Sequence, residues 1–570
     1  MPEFFDHLTD VVVVGSGAAG AVTALAAKEA GLEPLILEST DMFGGSSALS
    51  GGAIWIPGNH LMERAGVQDS LEEAREYLDF ILEHTEHPGG AAPASSPARR
   101  AAYLERGPEM ARWLEGLGFQ WRYAKGYPDH YPHCPGGSRQ GRAIEARKYD
   151  LKRLGRWAEK LRSSLRGIAL STTDAAALST SRRSPRALLA AAKAVGIDSL
   201  APRAMGRNMV GLGNALMGRL LELLLDRTIP IWLESEVTEL IVQEGRVTGV
   251  VITRHGETLN IGAARGVMIA SGGFEKNGSM RTRHHTPPSD PQWSSGAPGN
   301  TGAPIEAAAR AGVELATMDS AWWAPTALLP STSQQPNTAP GTTPTFLSHE
   351  LSLPHGIVVA SDGRRFMNES ECYVDAGHHL YAKDREEGVT AIPAWHIIDS
   401  RHRTWYPYGA ALPGIGTKKM VESGFMIQAD TLDELARRTG IDPEGLRTTI
   451  ERFNEFARTG VDEDFSRGSN AHDTFHSDPR VKPNPTLGAI SKPPFYAIEV
   501  YPGDLGTNGG VLTDEFARAL LPDGSVLPGL YAAGNASASV MGYTYPGPGA
   551  TIGAAMVFGF IAGRHMSGSA

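Results

Sequence analysis

Cysteine is nearly missing from this chain. Cys134 and Cys372 are the two thiols in 570 residues, and neither sits in a CxxC pair or a Cys/His ligand spacing. A disulfide framework and a thiolate metal site are therefore not expected, no metal is called for, and a reducing interior with inert thiols fits best. Long apolar runs are missing as well. No stretch reaches 18 apolar residues, and the opening MPEFFDHLTD is acidic with no apolar core. The expectation is a cytoplasmic chain with neither a membrane span nor a secretory leader. A surplus of positive charge is also absent: the formal net charge of −10 argues against general nucleic-acid binding. No internal repeat occurs.

What the chain has in excess is glycine, 66 residues against a usual share of about 7%. At this length one core does not suffice, so two or three domains are expected. DVVVVGSGAAGAVTALAAKEAGLEPLILES reads as a buried strand from Val11 to Val14, a glycine turn, an apolar helix from about Ala18 to Ala30, and a second strand from Pro34 to Leu37 that ends in Glu38. The apolar helix GNALMGRLLELLLD follows later, then strands in IPIWLES, VTELIVQEGRVTGVVIT and GVMIASGGF. Strand signals fade from Asp290 to Pro344, which is rich in Pro, Thr and Ser, and return in PFYAIEVYPGDLGTNGGVLTD. The expected organisation is an α/β Rossmann-like nucleotide domain over residues 1–282 and 495–570, interrupted by a smaller α+β catalytic domain over 283–494.

Gly15, Gly17 and Gly20 form G-x-G-x-x-G at the mouth of a helix, and Glu38 closes the next strand 23 residues after Gly15. The glycines permit a tight turn and close approach to a pyrophosphate, the helix start offers N–H groups, and the acid can accept from ribose hydroxyls. This constellation calls for an ADP-containing dinucleotide. DMFGGSSALSGGAIWIPGN adds backbone amides and the Ser46 and Ser47 hydroxyls for a longer ligand, and GLYAAGNAS gives a late strand ending at Gly534 and Asn535. The fingerprint, GGSSALSGG, ASGGF and LYAAGN together resemble the FAD-binding subunit family of fumarate reductases and succinate dehydrogenases, and they bracket nearly the whole chain. The resemblance implies FAD. It places Gly15, Ser16, Gly17, Ala19 and Gly20 at the pyrophosphate turn and Glu38 at the adenosine ribose. Gly45, Ser46, Ser47, Gly51 and Gly52 fall beside the flavin, the Val237 backbone at the adenine, Ala270, Ser271 and Gly272 on the crossing strand, and Asn535 and Ile552 at the flavin end.

A fumarate reductase grips two carboxylates with Arg and His groups, yet this chain has no cation between Asn535 and Phe560. It has GYTYPGPGATIGAAM instead. Proline fixes φ and glycine permits φ > 0, so this run holds one shape with amides facing outward, and the helix opening near Thr551 favours negative charge on a reduced flavin. The loop is similar to that of the 3-ketosteroid Δ1-dehydrogenases. That resemblance implies that the Tyr545 hydroxyl and the Gly549 N–H hold the steroid 3-keto oxygen as an oxyanion hole. GRRFMNESECYVDAGHHLY carries the RFxNES pattern of the same enzymes, and Tyr373 matches their proton-abstracting tyrosine. A tyrosine with pKa near about 10 needs a partner to act as a base. The family supplies a second tyrosine, for which Tyr123, Tyr127 and Tyr131 are candidates; Tyr123 is favoured by its place after WLEGLGF. The implied reaction is trans elimination, with a proton passing from carbon 2 to Tyr373, hydride from carbon 1 to the flavin, and the electrons then leaving to an external acceptor. The rivals are dehydrogenation at the 4,5-bond and a soluble fumarate reductase-like flavoenzyme. His378 and His379 diverge on a helix and read as structural, while Trp322, Trp323 and Phe366 read as apolar walls.

Charge is distributed unevenly. From Arg139 to Arg207 sixteen Lys/Arg stand against five Asp/Glu. Within this basic, helical insertion, RKYDLKRLGRWAEKLRSSLRGIAL sets Leu151, Leu154, Trp157, Leu161 and Leu165 at helical spacing beneath a row of cations. Peripheral membrane contact is one use of that pattern, and packing on the protein itself is the other.

Overall fold

Four consecutive valines cannot alternate between water and core, so Val11 to Val14 specify a strand buried on both faces. They end β1 (His7–Val14), which leads into α1 (Ala18–Glu29) and β2 (Pro34–Leu37). In the computed structural model, which describes residues 4–84, 92–163, 169–330, 341–409 and 411–568, the chain next builds α2 (Leu212–Asp226), β3 (Ile231–Trp232) and the run β4 (Ser235–Gln243), β5 (Arg246–Arg254) and β6 (Glu257–Ile269). There follow β7 (Ala321–Pro330), β8 (Thr342–Phe346), β9 (Gly356–Val359), α3 (Tyr373–Asp384), β10 (Ala394–Asp399), β11 (Ile427–Ala429) and β12 (Phe495–Thr507). The chain closes with β13 (Arg518–Leu520), β14 (Val526–Ala532) and α4 (Ala550–Met566).

Two large sheets result. The first runs β13–β14–β6–β1–β2–β3, with β5 on β6 and β4 on β5. Its centre is parallel: Val14 lies opposite both Leu37 and Ile269, so three strand ends meet at one edge. Ligands of such sheets bind outside those carboxyl ends. The second sheet is antiparallel in order β8–β7–β12–β10–β9, with β11 also on β12.

Three features differ from the expected organisation. The Pro/Thr/Ser-rich stretch holds a ten-residue strand, β7. Its Pro325 stands opposite Pro502, so the two missing N–H donors coincide and the ladder tolerates both. Strand β12 follows the proposed return at 494 yet pairs along the second sheet rather than the first; strand periodicity does not encode sheet membership. The basic row is not one amphipathic helix. Leu151–Ala158 is a short 3₁₀ helix broken at Gly155 (φ 56°, ψ −129°), which turns Leu151, Leu154 and Leu161 into the main core with Trp157 half-buried against it. Leu165 lies outside the described residues.

Candidate active site

The strand ends of the first sheet open onto an elongated cavity. Every expected cofactor residue lines it except Gly20, Gly51 and Gly52. Gly20 serves packing, since a Cβ there would lie 2.0 Å from Gly15 O, and Gly52 (φ 68°) is pressed against the Leu212 backbone, while Gly51 has open space around it. The turn at Gly15 (φ 103°) is tied to β2 by its N–H, which donates to Leu37 O at 2.8 Å. Glu38 is held ready by five donors: Ser16 N–H and Oγ on one oxygen, Thr40 N–H and Oγ1 and, at 3.5 Å, Ser39 Oγ on the other. Ser47 Oγ accepts from Ala18 N–H at 3.1 Å, and Ser46 Oγ accepts from Ala297 N–H and Asn300 Nδ2.

A dinucleotide fits this cavity on direct grounds. Helix α1 is capped by Gly17, which has no side chain to bond its first turn; Ser47 takes the Ala18 N–H, and those of Ala19 and Gly20 remain for an anion. Ser271 Oγ and Arg162 Nε, both on the cavity wall, are buried without partners, and buried polar groups of this kind are normally satisfied.

At the far end Tyr545 and Thr551 complete the wall. Tyr545 and Tyr373 face each other with ring centroids 5.1 Å apart. His130 stacks on Tyr545 at 5.2 Å and meets Tyr373 edge-on at 5.3 Å; Phe346 stands edge-on to Tyr373 and Trp322 to Tyr545. Thr551 Oγ1 donates to the Tyr545 hydroxyl at 3.3 Å, which leaves the phenol proton of Tyr545 free to point elsewhere. Gly549 caps α4 with φ 82°; its N–H has no partner among the described residues, and a Cβ there would lie 2.0 Å from Ala53 O. Burial pushes the Tyr373 phenol well above the ordinary tyrosine value, with Tyr545 adding to it. Tyr545 is also raised by burial, and its contacts with Thr551 and Tyr373 pull it back. Burial keeps His130 neutral, well below the usual imidazole value, and His472 beside it acts the same way.

The three candidate helper tyrosines separate clearly. Tyr123 ends a short strand, Trp121–Tyr123, and its hydroxyl donates to Gln140 O at 3.0 Å and Gly141 O at 2.9 Å. Tyr131 donates to Asp375 Oδ1 at 3.1 Å. Tyr127 stacks on Phe475 with centroids 4.4 Å apart and is the one of the three that acts on the Tyr373 phenol, adding a little to the upward push of burial, while burial first and Tyr545 second raise its own phenol. The position after WLEGLGF puts Tyr123 on a strand edge, whereas the following turn carries Tyr127 inward; nothing in the local pattern marks that difference. Trp323 packs on His285 and Tyr381, and Phe366 on the core under the second sheet, so neither reaches the tyrosine pair. His379 pairs with Glu371 at 2.7 Å.

The RFxNES residues explain why Tyr373 sits where it does. Arg365 forks onto Glu369 and Asp462, Arg467 also reaches Glu369 at 2.9 Å, and Asn368 Nδ2 donates to Asp473. All of these side chains are buried. The motif is an anchor that holds the loop delivering Tyr373 as the first residue of α3.

Residues 10–552 match the FAD binding domain family. The chain is 42% identical over 575 residues to the 3-oxosteroid 1-dehydrogenase of Mycobacterium tuberculosis, covering 98% of each. It is 35% identical to the 4-oxocyclohexanecarboxylate 2-dehydrogenase of Sinomonas cyclohexanicum, covering 98% of this chain and 93% of the other. Among solved structures, the 3-ketosteroid delta1-dehydrogenase of Sterolibacterium denitrificans in complex with 1,4-androstadiene-3,17-dione superposes with a TM-score of 0.90 at 37% identity, covering 99% of this chain and 100% of that one.

Proposed function

The chain belongs to the FAD-dependent 3-oxosteroid 1-dehydrogenases of the FAD binding domain family, and from that premise we propose that it removes the hydrogens from carbons 1 and 2 of a 3-ketosteroid through Tyr373, Tyr545 and Gly549. The observation that carries the reading is the facing pair Tyr373 and Tyr545 beside the unpartnered Gly549 N–H, at the end of the cofactor cavity. FAD, when bound, would supply the acceptor for the hydride from carbon 1, and the electrons would leave to an external acceptor. Tyr545, its oxygen already accepting from Thr551, donates its proton to the 3-keto oxygen, and Gly549 N–H donates from the rigid cap of α4. Their donation acidifies the carbon 2 hydrogen by stabilising the enolate-like oxygen. Tyr373 takes that proton, with the N-terminal end of α3 favouring its anionic form and Tyr127 in place of Tyr123 as its neighbour. The aromatic groups around the pair exclude water and suit a flat apolar ring system.

Anaerobic flavin bleaching tests this directly. Androst-4-ene-3,17-dione should bleach the bound flavin and yield the 1,4-diene. Bleaching by 4-oxocyclohexanecarboxylate alone would reassign the substrate to small cyclic ketones, and oxidation of reduced enzyme by fumarate without any ketosteroid turnover would defeat the reading.

The membrane contact proposed for the basic insertion moves to a different surface. Leu188, Leu189, Ile197, Leu200 and Met205 are each more than half exposed, on or just after helices that also carry the exposed Arg186 and Arg203, with Arg207 exposed in the loop beyond. Apolar side chains ringed by cations fit an anionic lipid surface, where apolar steroids partition. No helix among the described residues is long and apolar enough to cross a membrane, so the contact is peripheral. Co-sedimentation with anionic vesicles at low salt should be lost in a Leu188→Ser/Leu189→Ser variant; absence of parent binding would end the idea.

A further inference from the structure

One cation of the basic insertion is not on its surface at all. Arg162 is 5% exposed, and its backbone is strapped in place: its N–H donates to Phe43 O at 2.9 Å, Phe43 N–H donates to Lys160 O at 2.7 Å, and the Arg162 carbonyl accepts from Asn214 Nδ2 at 2.8 Å. Held there, Arg162 lines both the cofactor cavity and a second, open pocket that it shares with Asp41 and Glu236. Nη2 donates to Thr40 Oγ1 at 2.9 Å, and that hydroxyl donates on to Glu38 Oε1 at 2.8 Å. Nε is buried without a partner, and among the described residues the guanidinium makes no ion pair.

Burying a guanidinium is unfavourable unless its donors are met. Burial lowers its pKa, and Glu38 and Asp41 oppose that from a distance. The missing acceptors must come from whatever fills the cavity. We infer that Arg162 is a binding residue for the adenosine half of FAD, its remaining guanidinium N–H donors meeting a ribose or adenine acceptor while Glu38 accepts from a ribose hydroxyl. The inference rests on FAD as the cofactor and not on the steroid reaction. Glu38 is acceptor-only and Arg162 donor-only, so the pair, joined through Thr40, presents both halves of the recognition a ribose needs. The positive charge also favours the nearby pyrophosphate. The Lys160–Phe43 strap then serves to hold Arg162 in place, a role that neither composition nor helical spacing discloses.

FAD release from the holoenzyme tests this apart from any catalytic role. Parent, Arg162→Gln, Arg162→Lys and Thr40→Val holoenzymes are diluted into excess ADP, and release is followed as regained flavin fluorescence. Arg162→Gln should release FAD roughly 10- to 100-fold faster, the usual worth of a hydrogen bond to a charged group, with Arg162→Lys in between and Thr40→Val within about threefold of the parent. Release by both Arg162 variants at the parent rate overturns the inference. So does a Thr40→Val rate equal to that of Arg162→Gln, because the guanidinium would then act only by holding Thr40. Arg162→Lys keeps a cation on the strap and decides the matter if the Gln variant fails to fold.

Discussion

Four tyrosine hydroxyls with different surroundings should cost different amounts when removed. Tyr373→Phe keeps the ring contacts with His130, Phe346 and Tyr545 but removes the base, so single-turnover flavin reduction should fall by about 10² to 10⁴-fold with FAD retained. Tyr545→Phe removes one of two donors to the developing oxyanion, a loss of about 10² to 10³-fold with weaker ketosteroid binding. Tyr127→Phe should cost less than either but more than Tyr123→Phe, whose hydroxyl is spent on Gln140 and Gly141. Tyr373→Phe reducing its flavin at the parent rate would assign the base elsewhere. The pH dependence has a definite sign. Burial holds the Tyr373 phenol protonated well past its usual value, so below that value the tyrosinate fraction, and with it the reduction rate, rises about tenfold per pH unit. A rate that is flat from pH 6 to 9 would mean that a different group, or a preformed tyrosinate, takes the proton.

At the scale of elements, the loop before α3 is the most heavily braced part of the site. Burial alone would raise the Glu369 carboxyl, yet Arg365 and Arg467 hold it down at about 2. A folded pKa below the ordinary 4.5 means that this carboxylate stabilises the fold above about pH 4.5 and that the contribution is lost as pH falls toward 2. Glu369→Gln leaves buried Arg467 without a carboxylate and Arg365 with Asp462 alone and should cost about 3 to 5 kcal/mol, seen as a lower melting temperature with FAD saturating; an unchanged melt would make the anchor dispensable. These elements also show what a sequence discloses and what it withholds. The valine run, the glycine turn and Glu38 are local patterns; α1 and β2 follow them nearly residue for residue, and β1 ends with the valines but begins four residues earlier, at His7. The Tyr545 loop was equally legible because proline fixes φ by itself and glycine admits the positive φ found at Gly549. Tyr127, Phe346, His130 and Arg162 were not, because each meets the site through pairings distant along the chain. Gly155 shows the limit in reverse: one glycine with non-helical backbone cancels a helical pattern that reads well on either side of it.

Across the whole molecule the two sheets are joined by buried charge. Arg281, after β6, pairs with Asp504 of β12 at 2.5 Å, and Ser294 Oγ donates to the same carboxylate at 2.6 Å. Between them lies Glu275, fully buried, accepting from Asn300 Nδ2 at 2.5 Å with no ion pair among the described residues. Through Asn300 it is linked to Ser46 on the cofactor wall. Burial first, and Asp504 second, push its carboxyl up to about 7. The folded state therefore binds a proton that the unfolded chain, with its carboxyl near 4.5, has released. That stabilising share is complete below about pH 4.5 and is lost as pH rises through 7, so above pH 7 the buried carboxylate is a full penalty, at most a few kcal/mol. Glu275→Gln keeps the shape and the Asn300 contact while removing the charge. Its melting temperature, measured on FAD-saturated protein, should match the parent near pH 4.5, pull ahead between pH 4.5 and 7, and stay several degrees higher at pH 8. Parallel melting curves for the two proteins across that range would show that Glu275 is ionised in the fold at no cost, and that the junction between the sheets holds a counter-charge at this carboxylate.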